Sequence, residues 1–435
     1  LCQAASERLM SLAHAAAATA RDTSPSDESY GIAEPQLARP VLSIVLPTYK
    51  RTDLLDRFFK HHVKMLDQIG FSYEILVVDD ASPDNTQDIV ASWAETCPHI
   101  RSIRHATNVG FRPNYLSCLR EAKGHFTAYV GNDDLLIGET LRQHILRMAQ
   151  DPDIVMVQAP WFLLDEYSDN KISGRSYEID SEMRFYRGEH GRCLDFVLDR
   201  HVFPEWYIIR TNAVADIAGP YDRTTYHFFS QLSNALEIGD VVFAPEPYAI
   251  VTAVSRGHDT HVGNVETLFG WDEYRGGIEH LAAAARRHDP SWIQGQPDLL
   301  KRIQHFTNVR MEVALNLHLY SGNKNWLHAW HLKCRLEAYG ITPLAPSVCA
   351  ELSSLAAMEA CVLELVRTGH RSIVVSERCF SIFREVIKVE PDVTLLCQGD
   401  TREAEATAYI AFGDAPDFPC KAVIDLAAAM RRYQA

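Results

Sequence analysis

Three apolar runs separated by helix-patterned segments constrain this chain more than any other feature, because two of them lead into adjacent acids. VLSIVLPTYKR covers 41–51, YEILVVDDASPDNT covers 73–86, and Phe126–Val130 leads into Gly131-Asn132-Asp133-Asp134. Apolar runs alternating with helical stretches predict βαβ units and a mostly parallel sheet. In open sheets of that kind ligands bind outside the carboxyl ends of the strands. Asp79-Asp80 and Asp133-Asp134 are therefore expected at one edge. Neighbouring carboxylates there suit a hard divalent cation, which takes oxygen ligands and bridges phosphates. The pattern points to a nucleotide and its metal.

The spacing predicts strands near 41–46, 73–78, 101–104, 126–130 and 154–159, and helices near 52–68, 84–94, 111–122 and 138–149. Asp84 is placed to cap the second helix. Residues 162–190 are polar and aromatic with poor periodicity, which suits an insertion facing an acceptor. Helical texture returns over 191–240, and VVFAPEPYAIV (241–251) reads as a strand.

Four segments follow from these textures. Residues 1–40 read as a short N-terminal helix and a linker rich in Ser, Pro and acids. Residues 41–270 form the main α/β domain, and 271–345 a helical segment with Trp, His and Leu recurring at three and four. Residues 346–435 read as a small C-terminal α/β module. The turn after its first strand, Ser376-Glu377-Arg378-Cys379, lacks the glycines of a nucleotide-binding crossover. Docking, homo-oligomerisation or acceptor recognition is its expected role.

Bulk properties narrow the partners. At 435 residues the chain is long enough for two or three domains. A formal net charge of −15 argues against a nucleic-acid partner, whose phosphates demand a basic face. No apolar run reaches the roughly 18 residues needed to span a bilayer, and the Ala-rich stretch 12–20 lacks a signal pattern. The chain begins at Leu1 rather than Met, so a segment upstream is expected. Ten scattered cysteines without a C-x-x-C predict reduced thiols and no zinc cage. The expected location is cytoplasmic, at most peripheral to the inner membrane face.

The opening I-V-L-P-T-Y-K-R, the V-V-D-D-A-S-P-D-N-T block, the N-x-G at Asn108–Gly110 and the strand ending G-N-D-D resemble, in order and spacing, the family-two inverting glycosyltransferases of GT-A fold. The resemblance is strong over 41–140, weaker over 141–260 and absent from 271 onward. It implies transfer of a sugar from a nucleoside diphosphate sugar, with inversion and a divalent metal (Mg²⁺ or Mn²⁺). A bacterial-type glycan or lipid-linked glycan would be the acceptor. A catalytically silent nucleotide-sugar scaffold is the alternative. A nucleotidyltransferase is a third reading, but L-P-T-Y-K-R lacks its glycine-rich basic loop.

The candidate site residues divide by role. Pro47, Thr48 and Tyr49 end the first strand and would shape a nucleoside pocket, and Arg51 can reach a phosphate. The resemblance implies that Asp79 and Asp80 hydrogen-bond the base or ribose, with Ser82 beside them. Gly110 permits a close approach after Asn108, and helix N-terminal amides favour anions. The family's metal motif is acid, any residue, acid. Here Gly131 replaces its first acid, while Asn132 and Asp133 hold the next places. Metal ligation is therefore expected from Asp133 and Asp134, with Asn132 on the donor side. The family's R-x-H segment maps to Arg256 and His258, facing diphosphate and metal. The base that deprotonates the acceptor has two candidates. His227 stands where the family's Glu-Asp pair should be, and Asp222 lies in the G-x-x-D turn before it. Trp206 reads either as an acceptor platform or as core.

Overall fold

The computed structural model describes residues 39–165, 171–219, 224–254, 268–320, 324–400, 406–416 and 418–433. The N-terminal helix and linker, Asp222, Arg256 and His258 lie outside them. The described residues divide into two compact units. One takes those up to 254 together with Asp272–Phe306, and the other takes 268–271 and those from Thr307 onward. The segment expected as independent over 271–345 is thus shared between the units.

The first unit alternates as expected through β1 (Leu42–Thr48), α1 (Thr52–Leu66), β2 (Tyr73–Asp79), α2 (Thr86–Thr96), β3 (Ile100–Arg104), α3 (Phe111–Glu121) and β4 (Phe126–Tyr129). Then come β5 (Leu135–Leu136), α4 (Gly138–Gln150), β6 (Ile154–Gln158), β7 (Phe162–Asp165), β8 (Lys171–Arg175), β9 (Met183–Phe185) and α5 (His190–Arg200). They are followed by β10 (Tyr207–Arg210), α6 (Val214–Ile217), α7 (His227–Ile238), β11 (Asp240–Phe243), β12 (Ala249–Val254), α8 (Trp271–His288) and α9 (Pro290–Gln294). Every residue of β1 and β2 is buried, as strands covered on both faces require. In α1 the buried positions Leu54, Leu55, Phe58, Phe59, His62 and Leu66 form one stripe at helical spacing.

Eight strands form the main sheet in the order β3-β2-β1-β4-β10-β6-β11-β9. The strands β1, β2, β3 and β4 pair in parallel, while β10 runs antiparallel to both β4 and β6. That reversal makes β6 parallel to β4, and β11 is parallel to β6. The carboxyl edge is therefore formed by the exits of β1, β2, β3, β4, β6 and β11 and by the entrances of β9 and β10. A smaller sheet, β5-β12-β7-β8, packs Leu135, Ile137, Leu164 and Ile250 around a core of its own. The stretch expected as one strand over 241–251 is split: β11 lies in the main sheet and β12 in the smaller one, with Pro245 and Pro247 between them. A proline lacks the amide that would continue a ladder.

In the second unit α10 (Leu299–Tyr320), which crosses the division, is followed by α11 (Trp326–Ala338) and α12 (Pro346–Arg367). Next are β13 (Ser372–Val375), α13 (Glu377–Val386), β14 (Thr394–Cys397), β15 (Ala408–Ala411), β16 (Ala422–Asp425) and α14 (Leu426–Tyr433). The four strands pair in parallel in the order β14-β13-β15-β16. Where that order reverses, beyond the ends of β13 and β15, Ser376 Oγ donates to the carboxylate of Asp414. No described cysteine is in a disulfide.

Helix α8 meets the start of α7 through two adjacent glycines. A Cβ on Gly276 would collide with the carbonyl of Thr224, and one on Gly277 would lie 2.9 Å from the Tyr226 carbonyl and 2.9 Å from Phe229 Cβ. The contact is sealed by Tyr226 N, which donates to the Glu273 carbonyl at 2.8 Å. Gly277→Ala would gain up to about 1 kcal/mol of helix propensity but lose roughly 1–3 kcal/mol to overpacking. Net destabilisation in urea unfolding is expected; a more stable variant would show that the two helices can separate freely here.

Candidate functional site

The carboxyl edge is braced by its own acids. Asp80 is buried, and its two carboxylate oxygens accept the amides of Val109 at 2.7 Å and Gly110 at 2.9 Å. Gly110 adopts φ 87°, which a residue with a Cβ enters only with strain. The Asn108 amide donates to the Asp80 carbonyl at 3.3 Å. The N-x-G amides are thus already engaged, and the anion they hold is the internal carboxylate of Asp80.

Asp79 is also fully buried. It accepts from Ser82 N at 3.1 Å and Gln87 Nε2 at 2.9 Å, and it faces Arg104 Nε at 3.5 Å. Ser82 Oγ accepts the Lys50 amide at 2.9 Å, and Asp80 N donates to the Thr48 carbonyl at 2.9 Å. Lys50 and Ala81 both hold left-handed backbone, φ 54° and 57°. Such strain persists only where surrounding contacts enforce it. Asp79, Asp80 and Ser82 therefore fix the loops that follow β1 and β2 and present little of themselves outward. At that end Tyr49 is 38% exposed, with the Lys50 ammonium 5.1 Å from its ring centre.

The end of β4 carries the other acids. Asn132 Nδ2 donates to the Pro47 carbonyl at 2.9 Å, tying this end to β1. Its Oδ1 and the hydroxyl of Thr48 are buried without hydrogen-bond partners, groups that a water or an ion would satisfy. Asp134 Oδ1 accepts the Thr252 amide at 2.9 Å, and the Thr252 hydroxyl donates to the Asp133 carbonyl at 2.8 Å. Arg57 donates to the same carbonyl at 3.3 Å. Burial, and then the charge of Asp133, push the Asp134 carboxyl well above its usual range.

Gly131 explains this geometry. A Cβ there would run into Asp134 Oδ2 and lie 3.2 Å from Asp133 Oδ1. The Asp134 carboxylate folds back into the volume that a side chain at 131 would fill. The acid missing from the sequence motif is supplied in space by Asp134, beside Asp133.

His227 does not have the surroundings of a base. Its ring is fully buried among Phe111, Tyr115, Tyr226 and Phe228. Burial, and then the positive charge of Arg112, lower its pKa from 6.5 to about 3. So weak a base counts against the role assigned to it from the sequence. Trp206 is buried beside Tyr129 and Tyr248, a core position. Two residues at this edge carried no sequence signal. Thr252 is a lone hydroxyl within an apolar strand, and Glu205 precedes a strand whose direction the sequence does not reveal. Glu205 Oε1 accepts the Tyr226 hydroxyl at 2.6 Å.

Among the described residues, His190, Glu237 and His288 also gather within metal-ligand range. Glu237 precedes β11 by a short turn, so this group sits at the opposite, amino edge of the sheet. His190 Nε2 is 3.0 Å from the Ser233 carbonyl, to which it donates, and Arg287 lies 3.5 Å from Glu237. The trio is an ion-pair cluster remote from Asp133.

The His227 assignment has a pH consequence. The unfolded chain takes up this proton near pH 6.5, the folded chain only near 3. Stability from this group is intact above 6.5 and falls as pH drops toward 3, by up to about 1.4 kcal/mol per pH unit. His227→Phe keeps a ring and should flatten that slope in denaturation measured between pH 6.5 and 4. An unchanged slope would mean that the folded state protonates the ring readily.

Residues 43–206 match the family model described as glycosyl transferase family 2. An uncharacterized protein of Mycobacterium tuberculosis, MT1568, is 30% identical over 178 residues, which is 41% of this chain and 53% of that protein. The uncharacterized glycosyltransferase YibD of Escherichia coli is 29% identical over 122 residues, 28% of this chain and 34% of that protein. The chain thus spans about half or less of the length of these curated relatives. The crystal structure of S. aureus TarS 1–349 in complex with UDP-GlcNAc aligns at a TM-score of 0.46 and 15% identity, covering 75% of this chain and 87% of that one. Residues 43–206 thus resemble glycosyl transferase family 2, and β2, β4 and β6 of the mixed sheet lie within that match.

Proposed function

We propose that the protein transfers a sugar from a nucleoside diphosphate sugar to a hydroxyl of a glycan or lipid-linked glycan, with inversion and with help from Mg²⁺ or Mn²⁺. The observation that carries this reading is the pair of carboxylates at the end of β4. Asp133 and Asp134 converge over Gly131, and the neighbouring residue Asn132 has a buried Oδ1 without a hydrogen-bond partner. Oxygen donors of this kind fit Mg²⁺ or Mn²⁺, which need only one or two carboxylates when phosphates and waters complete the shell. Bound there, such a cation would offset charge on a departing diphosphate. The silent-scaffold alternative rests on the missing acid at Gly131 and on the missing Glu-Asp pair; the Asp134 carboxylate, which occupies the space over Gly131, answers the first.

The chain's own residues then divide the work. Thr48 and Tyr49, at the exit of β1, would contact the nucleoside, and Arg51 would meet a phosphate. Asp79, Asp80 and Ser82 would act from behind, holding the 49–51, 81–82 and 108–110 loops in shape. Arg256 and His258 remain proposed on the donor side from the resemblance alone. Among the described residues no helix is long and apolar enough to cross a membrane. The second unit lies outside the matched residues, and we assign it to docking or acceptor recognition. The Ser376–Asp414 hydrogen bond fills the place where its strand order reverses, which leaves a second nucleotide site without support.

Calorimetry with UDP and GDP in the presence and absence of Mn²⁺ tests the reading. Binding by wild type should require the cation, and Asp133→Asn should weaken it by ~10-fold or more, about 1.4 kcal/mol. Gly131→Ala should weaken it likewise, by displacing the Asp134 carboxylate while both acids stay in the chain. Cation-independent binding, or Asp133→Asn and Gly131→Ala variants that bind like wild type, would remove the metal from this site.

A further inference from the structure

We propose that Glu205 is the catalytic base, the group that takes the proton from the acceptor hydroxyl. The inference rests on the sugar-transfer reading above. It begins with strand direction. Because β10 is antiparallel to both neighbours, its entrance, not its exit, lies at the carboxyl edge. Ile208 pairs with Ala128, Ile209 with Thr127 and Arg210 with Phe126. The same register carried back through Tyr207 and Trp206 sets Glu205 opposite Gly131, one strand from Asp133 and Asp134. Neighbouring strands lie about 4.8 Å apart. On the far side of β4 stand β1 and β2, the nucleoside half of the edge. Glu205 thus stands across β4 from the nucleoside half, on the side left for an acceptor.

The side chain is half-buried and held in place. Its Oε1 accepts the hydroxyl of Tyr226 at 2.6 Å. Tyr226 is itself fixed: its amide donates to the Glu273 carbonyl, and its ring packs edge-on against Tyr274 at 4.5 Å. The two glycines of α8 allow that contact. Beneath, the Tyr207 hydroxyl donates to Gln231 at 2.9 Å and meets the hydroxyl of Tyr115. The Tyr226 hydroxyl meets Glu205 and Gln231 accepts from Tyr207, so both side chains lie on the face that α7 covers. A carboxylate offers about four lone-pair sites, of which the Tyr226 phenol takes one.

In the step this implies, the acceptor oxygen forms a bond to the anomeric carbon of the donor sugar. The bond from that carbon to the diphosphate oxygen breaks, and its electron pair leaves with the diphosphate. The acceptor's hydroxyl proton passes to Glu205 and from there to solvent. A carboxylate is the usual proton acceptor for attack on an oxocarbenium-like centre.

The test uses the full chain with Mn²⁺ and three probes, UDP-glucose, UDP-N-acetylglucosamine and GDP-mannose, with water as acceptor and release of nucleoside diphosphate as the readout. Glu205→Gln keeps an oxygen for Tyr226, so the fold should survive. Release should drop by ~10²-fold or more, while calorimetric affinity for UDP or GDP stays within about twofold of wild type. Glu205→Ala should regain part of its activity in added formate, which a merely structural role would not allow. Undiminished release by Glu205→Gln, equal loss of nucleotide affinity and release, or no gain from formate would each overturn the assignment. So would a wild type that binds UDP or GDP yet releases neither from any probe. A wild type that binds no nucleoside diphosphate would instead defeat the sugar-transfer reading, and Glu205 with it.

Discussion

The hydrogen bond from the Thr252 amide to Asp134 Oδ1 is the interaction on which the site's geometry depends. Asp134 belongs to the exit of β4 in the main sheet, and Thr252 to β12 in the smaller one. A buried carboxylate without partners would be costly. This one is accommodated by an amide from the covering sheet, by nearby Arg57 and by a raised pKa. The same bond turns the carboxylate back over Gly131 and so beside Asp133. Fold and chemistry are set here by one contact.

Much of the main sheet could be read from the sequence because its signals are local. The runs that became β1, β2 and β4 are fully or nearly continuous in apolar residues, and α1, α3 and α4 fall within a few residues of their expected bounds. What escaped the sequence were the features decided by partners far away. The stretch 241–251 is equally apolar on both sides of Pro245, yet its halves pair in different sheets. The hairpin of β7 and β8 and the short β9 lie in a segment whose polar and aromatic texture hides any period.

The site was legible to a similar degree. Asp79 and Asp80 were found at the right edge, but their inward hydrogen bonds depend on loops 20 to 30 residues away in the chain. His227 falls where a base was expected, and only the packed structure shows its ring enclosed by aromatics beside a cation. Gly131 read as a loss. In three dimensions it is the vacancy that admits Asp134. Motif spacing counts positions along a strand, and a side chain folding back across its own turn lies outside that count.

The reversed strand β10 has one more consequence. In a wholly parallel sheet every loop at the ligand edge leaves a strand, so each is followed by the helix that must carry the chain back. The segment before β10 arrives at the edge instead, after α5 has already made the return. Its length and composition can therefore drift without disturbing the crossovers that hold β1, β2 and β4 in register. Descendants of such a fold are free to remodel one flank of the cleft while the other stays fixed, and a single scaffold can diversify what it receives without altering what it gives.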